Sequence, residues 1–314
     1  MHTTDLHGTM TPMGWQTTGD VAGFLGVAGD FLRAEHVRNT VMLTVAETAR
    51  LNPGRYGTRD DADPASLPLF GWWTDGPGRG AGVGGAIGAA FMHTPPSPVV
   101  LSVAPPAAAA DLAANTLAGR PLAGVTANEE TAAAFAAARR ASTGCRVETH
   151  RRMRLYRLAG LTWPDPLPDG VPRTAGEGDV PLLTDWFTQF AREVDDLHDG
   201  DQTADVRERL SYGGLTLWEA GGTPVCLAGV TRRVAGMVRV GPVYTPPPLR
   251  GRGYASAATA EVSRAVRDAG AEEVLLYADL ANPVSNSIYQ RIGYREVADL
   301  VVLSFAGEGP FHGE

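Results

Sequence analysis

Val240-Gly241-Pro242-Val243-Tyr244-Thr245-Pro246-Pro247-Pro248-Leu249-Arg250-Gly251-Arg252-Gly253-Tyr254-Ala255 joins three unlike pieces of chain. The apolar start has the composition of a strand. Three prolines stiffen the loop behind it, and a glycine-rich basic turn follows. Ala255, Ala258, Val262, Ala265, Val266 and Ala269 then recur at helical spacing, opposite Glu261, Arg264, Arg267 and Asp268. Gly270 stands where a helix C-cap glycine belongs. A glycine turn that runs into a helix points several N–H groups one way and adds the positive end of the helix dipole. Residues 250–256 therefore read as a seat for a phosphate: Gly251 and Gly253 let the backbone approach, and Arg250 and Arg252 add charge. Taken alone, Arg-Gly-Arg-Gly-Tyr-Ala also reads as a flexible basic loop.

The context decides between these readings. Leu275-Leu276-Tyr277-Ala278-Asp279 has the pattern of a buried strand, and Asn282-Pro283 is an N-cap followed by proline at the first helical position. Asn286 and Tyr289 then share one helix face, and Gly293-Tyr294 ends the helix. Strand, Arg-x-x-Gly-x-Ala, helix, strand and Asn-Pro-x-Ser-Asn-x-x-Tyr-x-x-x-Gly-Tyr, in that order, resemble the GCN5-related N-acetyltransferase (GNAT) superfamily over residues 215–305. The resemblance implies an α/β fold, a twisted mixed sheet flanked by helices.

Length and composition bound the rest. A chain of 314 residues suggests two domains of about 150 each. The 44% hydrophobic share suffices for buried cores, and no run reaches the ~20 apolar residues of a membrane span. Residues 1–14 lack the basic start and apolar core of a signal peptide, so the expected location is cytoplasmic and no membrane partner is expected. A net charge of −8 argues against nucleic acid. All 27 basic side chains are arginine, so the protein offers no lysine side chain to acetylate. Cys145 and Cys226 make no disulfide framework and no zinc spacing, and no metal is expected; Cys226, within Pro224-Val225-Cys226-Leu227-Ala228, reads as a buried thiol.

Trp163-Pro164-Asp165-Pro166-Leu167-Pro168-Asp169-Gly170-Val171-Pro172 has neither helical nor strand period and reads as a linker. The order of elements looks alike on its two sides, which suggests a diverged duplication: residues 1–162, a linker at 163–173, and residues 174–314, with Arg154–Leu158 and the strand to Phe305 closing the two halves. By the resemblance these are tandem GNAT folds, the first degenerate. After Pro98–Ser102 the first half runs Val103-Ala104-Pro105-Pro106 with no phosphate turn, and Phe135 stands where Tyr289 would align. Arg79–Gly85 does carry the Gly-x-Gly-x-x-Gly spacing, but it leads into a strand and reads as a hairpin turn. The expected role of the first half is to wall the cleft or stabilise the second.

The resemblance implies acetyl-CoA as acyl donor, its pyrophosphate on the N–H groups of Arg250, Gly251, Arg252, Gly253, Tyr254, Ala255 and Ser256. It also implies that the pantetheine arm lies along Val243, Tyr244 and Thr245. Gly241-Pro242 suits a strand that parts from its neighbour, although an edge bulge reads the same way. Asn282 is expected to cap its helix and, by resemblance, to face the pantetheine with Asn286. Tyr289 matches the tyrosine that approaches the thioester sulfur; its other reading is a core tyrosine. A phenol of pKa near 10 would give its proton to a thiolate near 8.5 at a cost of about 2 kcal/mol, so a hydrogen bond to the developing thiolate is favoured over early transfer. Some family members carry a glutamate base where this chain has Arg239, which cannot act as one. Glu193 is the expected base, with Asp196 second, in an acidic cluster that also reads as a solvated loop. Arg239 with Arg232 or Arg233 suits a carboxylate. The expected function is transfer of acetyl to a primary amine of a small molecule or peptide, by direct attack in a ternary complex. A non-catalytic acyl-CoA-binding sensor or scaffold is the other reading. The acceptor and the oligomeric state stay open.

Overall fold

The computed structural model describes residues 14–52, 63–76, 86–194 and 202–307. They divide into two compact units. One comprises residues 1–34, 49–148 and 303–314, the other residues 35–48 and 149–302.

In the first unit, β1 (Gly14–Thr18) leads to α1 (Val21–Ala34), and α2 (Thr40–Leu51) runs across the division of the chain. The sheet continues through β2 (Leu69–Thr74), β3 (Ile87–His93) and β4 (Val99–Leu101), each antiparallel to the one before. After α3 (Pro106–Asp111), β5 (Gly124–Ala127) returns parallel to β4, and α4 (Glu129–Thr143) follows. Pro105 and Pro106 occupy the N-cap and first turn of α3 and supply no N–H there. Phe135 is fully buried and stacks on Phe305, with ring centroids 6.1 Å apart. Arg79–Gly85 lies outside the described residues.

The second unit repeats this plan. β6 (Arg146–Leu158) enters it at residue 149, and β7 (Val171–Thr174) forms an edge. α5 (Val180–Glu193) and α6 (Thr203–Leu210) precede β8 (Leu215–Ala220), β9 (Thr223–Val230) and β10 (Met237–Tyr244). α7 (Tyr254–Asp268) links β10 to the parallel β11 (Glu273–Asp279), then come α8 (Pro283–Arg291) and β12 (Tyr294–Ala306). Tyr254, Ala257, Ala258 and Val262 of α7 pack on Val240, Leu276 and Cys226 of the sheet. The opposite face buries Leu183, Trp186 and Phe187 of α5 against Leu217, Leu227 and Tyr244.

Three expectations are corrected. Arg154–Leu158 does not close the first half: Met153–Arg157 pairs antiparallel with Leu275–Asp279 of β11, inside the second unit. Conversely, the end of β12 belongs to the first unit, where the Phe305 N–H donates to the Ala123 carbonyl at 3.0 Å. The compact bodies are therefore not residues 1–162 and 174–314, and residues 294–302 of β12 stay in the second unit. The proline-rich segment is not a free tether either. Val171–Thr174 pairs with β8, the Trp218 indole donates to the Asp169 carbonyl at 3.0 Å, and the Thr162 N–H donates to the Ile292 carbonyl at 3.0 Å.

A fragment of residues 174–314 keeps β10 but lacks β6, the antiparallel partner of β11, and loses Tyr156 and Leu158 from its core. It is expected to show no cooperative unfolding transition by circular dichroism. A soluble fragment with a single sharp transition would contradict the place of β6 in this core.

Candidate functional site

β10 and β11 run as a parallel pair from Met237 opposite Glu273 to Val240 opposite Leu276, and there the pairing stops. Both strands continue, β10 to Tyr244 and β11 to Asp279. The other edge of β10 resumes its ladder with β9 at Val243 and Tyr244, after an irregularity between Val240 and Val243. Pro242 has no N–H, and the Gly241 carbonyl accepts from Arg209 Nη1 at 2.9 Å, so neither needs β11. Val243 and Tyr244 therefore present a free edge to a slot between two parallel strands, as the sequence led one to expect of Gly241-Pro242.

The glycine turn lies beyond the end of β10. Gly251 and Gly253 have φ of +75° and +83°, the left-handed region that glycine enters most cheaply. Gly253 is the N-cap of α7 and brings no capping side chain; the Ala257 N–H, bonded to the Gly253 carbonyl at 3.1 Å, is the first donor engaged. The preceding N–H groups of Tyr254, Ala255 and Ser256 are the orphans of any helix start. A Cβ on Gly253 would lie 3.7 Å from Pro168, so the proline-rich segment packs beside the turn.

Arg250 does not point into this turn. Its Nε donates to the Thr245 carbonyl at 2.8 Å, and its Nη2 donates to both oxygens of Glu193 at 2.6 and 2.7 Å. Glu193, the expected base, thus stands at the end of α5 in an ion pair with Arg250 of the glycine turn, half-exposed on both sides. Asp196 and the rest of the acidic cluster, Asp195, Asp199 and Asp201, lie outside the described residues. Arg252 is exposed.

Other expected residues are built into the fold. The Tyr244 side chain is buried among α5 residues; its hydroxyl donates to Gln189 Oε1 at 2.6 Å, and burial, then Glu193, raises its pKa. Only its backbone can meet the slot. Asn282 caps α8, its Oδ1 accepting from the Ser285 N–H at 3.0 Å. The Asn286 Nδ2 donates to the carbonyls of Asp279 and Asn282, both at 2.7 Å, and its Oδ1 accepts from the Tyr156 hydroxyl at 2.8 Å. That amide fixes α8 to β11 and β6. Tyr156 is a residue that sequence reasoning missed, because only the pairing of β6 with β11 brings it here.

Tyr289 packs between the rings of Tyr156 and Tyr294, with centroids 6.5 and 6.2 Å away, against the same core as Cys226 and Val243. Burial, then Cys226, pushes its phenol up to about 12. Burial likewise pushes the Cys226 thiol up to about 12. Both groups stay neutral at pH 7, which leaves Tyr289 a hydrogen-bond donor and Cys226 no thiolate nucleophile. Arg239, at the expected base position, is partly exposed, yet its Nη1 is buried without a partner. Arg232 is taken by Glu208 at 3.1 Å, and Arg233 donates to the Ala269 carbonyl at 3.0 Å.

Residues 224–302, which include the slot, the turn and α8, match the family described as FR47-like protein. Among curated proteins none matches this sequence. A Drosophila protein of known structure is similar over 95% of this chain and 100% of its own, with a TM-score of 0.64 at 13% identity. A GCN5-related N-acetyltransferase from Sphaerobacter thermophilus is similar over 94% of this chain and 96% of its own, with a TM-score of 0.56 at 15% identity. A GNAT-family acetyltransferase from Colwellia psychrerythraea reaches 0.53 at 10% identity, over 93% and 98% of the two chains. These likenesses span both units and establish the fold. Among the described residues, no helix is long and apolar enough to cross a membrane.

Asn286→Ala leaves the Asp279 and Asn282 carbonyls and the Tyr156 hydroxyl without their shared partner. It is expected to lower stability by about 1 kcal/mol in urea unfolding, the range for lost hydrogen bonds that are not fully buried, since both carbonyls keep a backbone donor. A loss below about 0.5 kcal/mol would mean that α8 is held by packing alone.

Proposed function

We propose that this chain, which has the fold of the GCN5-related N-acetyltransferase superfamily, moves an acetyl group from acetyl-CoA to a primary amine in a ternary complex. The parting of β10 from β11 beyond Val240 and Leu276, with a helix N-terminus at its far end, carries the reading. The residues present fit the donor. The free edge of Val243 and Tyr244 supplies peptide groups for an amide-bearing arm, and the turn at 250–256 supplies N–H groups for a pyrophosphate. Acetyl-CoA brings the activated acyl group; the chain orients it and manages charge and protons.

Tyr289 is the donor proposed for the leaving sulfur. With a phenol near 12 facing a thiol near 8.5, full transfer would run uphill by about 5 kcal/mol, so Tyr289 stabilises the developing thiolate as a hydrogen-bond donor. Its hydroxyl does not ionise in the range where amines titrate. The pH dependence of turnover therefore reports the amine and its base.

Glu193 is the base proposed, and its ion pair sets the condition. Both Glu193 oxygens accept from Arg250, so the carboxylate is engaged until that contact opens. An exposed pair of this kind is worth only about 0–1 kcal/mol, so an anion on the turn can draw Arg250 away and release Glu193. The sensor or scaffold reading draws on this pair, because it occupies the carboxylate.

Thiol release from acetyl-CoA across a panel of amines tests the proposal. Tyr289→Phe is expected to lower turnover about 10- to 1000-fold and to leave acetyl-CoA affinity within about threefold, since the charge it stabilises exists only in the transition state. Equal turnover in variant and parent would reduce Tyr289 to a core residue. Tight acetyl-CoA binding with no thiol release from any amine would make the chain a binding module.

A further inference from the structure

Two buried polar atoms on one face of the second unit have no partner: Arg239 Nη1 and the Tyr277 hydroxyl. They are neighbours by register. Arg239 pairs with Leu275, and Tyr277 lies two residues further along β11, so both side chains leave the sheet on the same side. That side is opposite α7, whose core takes up the alternate residues Val240, Val274, Leu276 and Ala278.

The surroundings are cationic. Arg209 reaches in from α6 and donates to the Val230 and Gly241 carbonyls at 3.1 and 2.9 Å. Among the described residues no carboxylate pairs with Arg239 or Arg209, although the nearby Arg232 has Glu208 at 3.1 Å and lies over the Tyr212 ring at 4.2 Å. Arg239 feels burial first, with Arg209 adding to it and Tyr277 and Tyr212 opposing it, while burial pushes the Tyr277 phenol up to about 12. A guanidinium stays charged under such pressure, and a buried charge without a counter-ion is costly. Among the described residues, the cluster holds no carboxylate for Arg239 or Arg209.

We propose that Arg239 and Tyr277 form a seat for the carboxylate of the amine acceptor. The guanidinium supplies a charged donor and the phenol a neutral one, enough for both oxygens of a carboxylate. The seat lies two residues before Gly241, about 7 Å along the strand from the mouth of the slot. A carboxylate held there leaves the amine of a small amino acid within reach of a thioester in the slot. The inference rests on the acetyl-transfer reading and makes Arg239 a specificity residue at the position where a base is lacking.

The test uses the full chain and matched pairs of α-amino acids and their carboxamides, which share the amine and differ only in the anion. Calorimetric binding in the presence of coenzyme A is expected to favour at least one acid over its amide by tenfold or more. Arg239→Gln should bring that ratio close to one and leave coenzyme A affinity unchanged. Arg239→Met removes the unpaired charge, should also abolish the preference, and should raise the melting temperature of the ligand-free protein. No acid bound better than its amide, or a preference that survives both variants, would overturn the seat. Thiol release is read in parallel and separates the two claims. Release without carboxylate preference defeats the seat alone, whereas carboxylate preference without release supports the seat and defeats the transfer reading.

Discussion

The parting of two parallel strands at Val240 and Leu276 is the constraint on which the rest of the second unit depends. Up to that pair, β10 and β11 satisfy each other. Beyond it β10 must find partners elsewhere, and the sequence supplies them one at a time. Pro242 has no donor to satisfy, the Gly241 carbonyl takes Arg209, and Val243 and Tyr244 return to β9. The strand can end apart from its neighbour without leaving its whole backbone unpaired, a condition a buried sheet rarely meets. Because α7 connects these same two strands, its N-terminus comes to the mouth of the opening, and α8, following β11, brings Tyr289 to its wall.

Charge is distributed around this opening in a consistent way. Near Tyr289 and Cys226 the protein is dry and neutral, and burial keeps both protons in place. At the turn, the Glu193 carboxylate is occupied by Arg250. On the face opposite α7, the Nη1 of Arg239 is buried without a hydrogen-bond partner. On the function proposed above, each would be completed by an anion: a pyrophosphate at the turn, a thiolate near Tyr289, a carboxylate at Arg239.

The sequence made the local parts of this legible. The turn glycines, the Asn282-Pro283 start and the strand-parting Gly241-Pro242 act over a few residues, so their chemistry can be read without the fold. Tyr244 and Asn286 were harder. Tyr244 follows the alternation of a strand away from the slot, and Asn286 meets Tyr156, which is 130 residues distant in sequence. The pairing of β6 with β11 was illegible for a similar reason: the strands are far apart in sequence, and pairing partners are chosen by tertiary packing. The pairing of Glu193 with Arg250 joins residues 57 apart and left no local sign.

Hydrogen exchange read by mass spectrometry, with and without acetyl-CoA, tests the central claim most directly. The account predicts protection of the amides of residues 243–245 and 251–256, with the corresponding stretch of the first unit, residues 103–110, unchanged. Protection confined to residues 103–110, or none at the slot and the turn despite saturating acetyl-CoA, would contradict it.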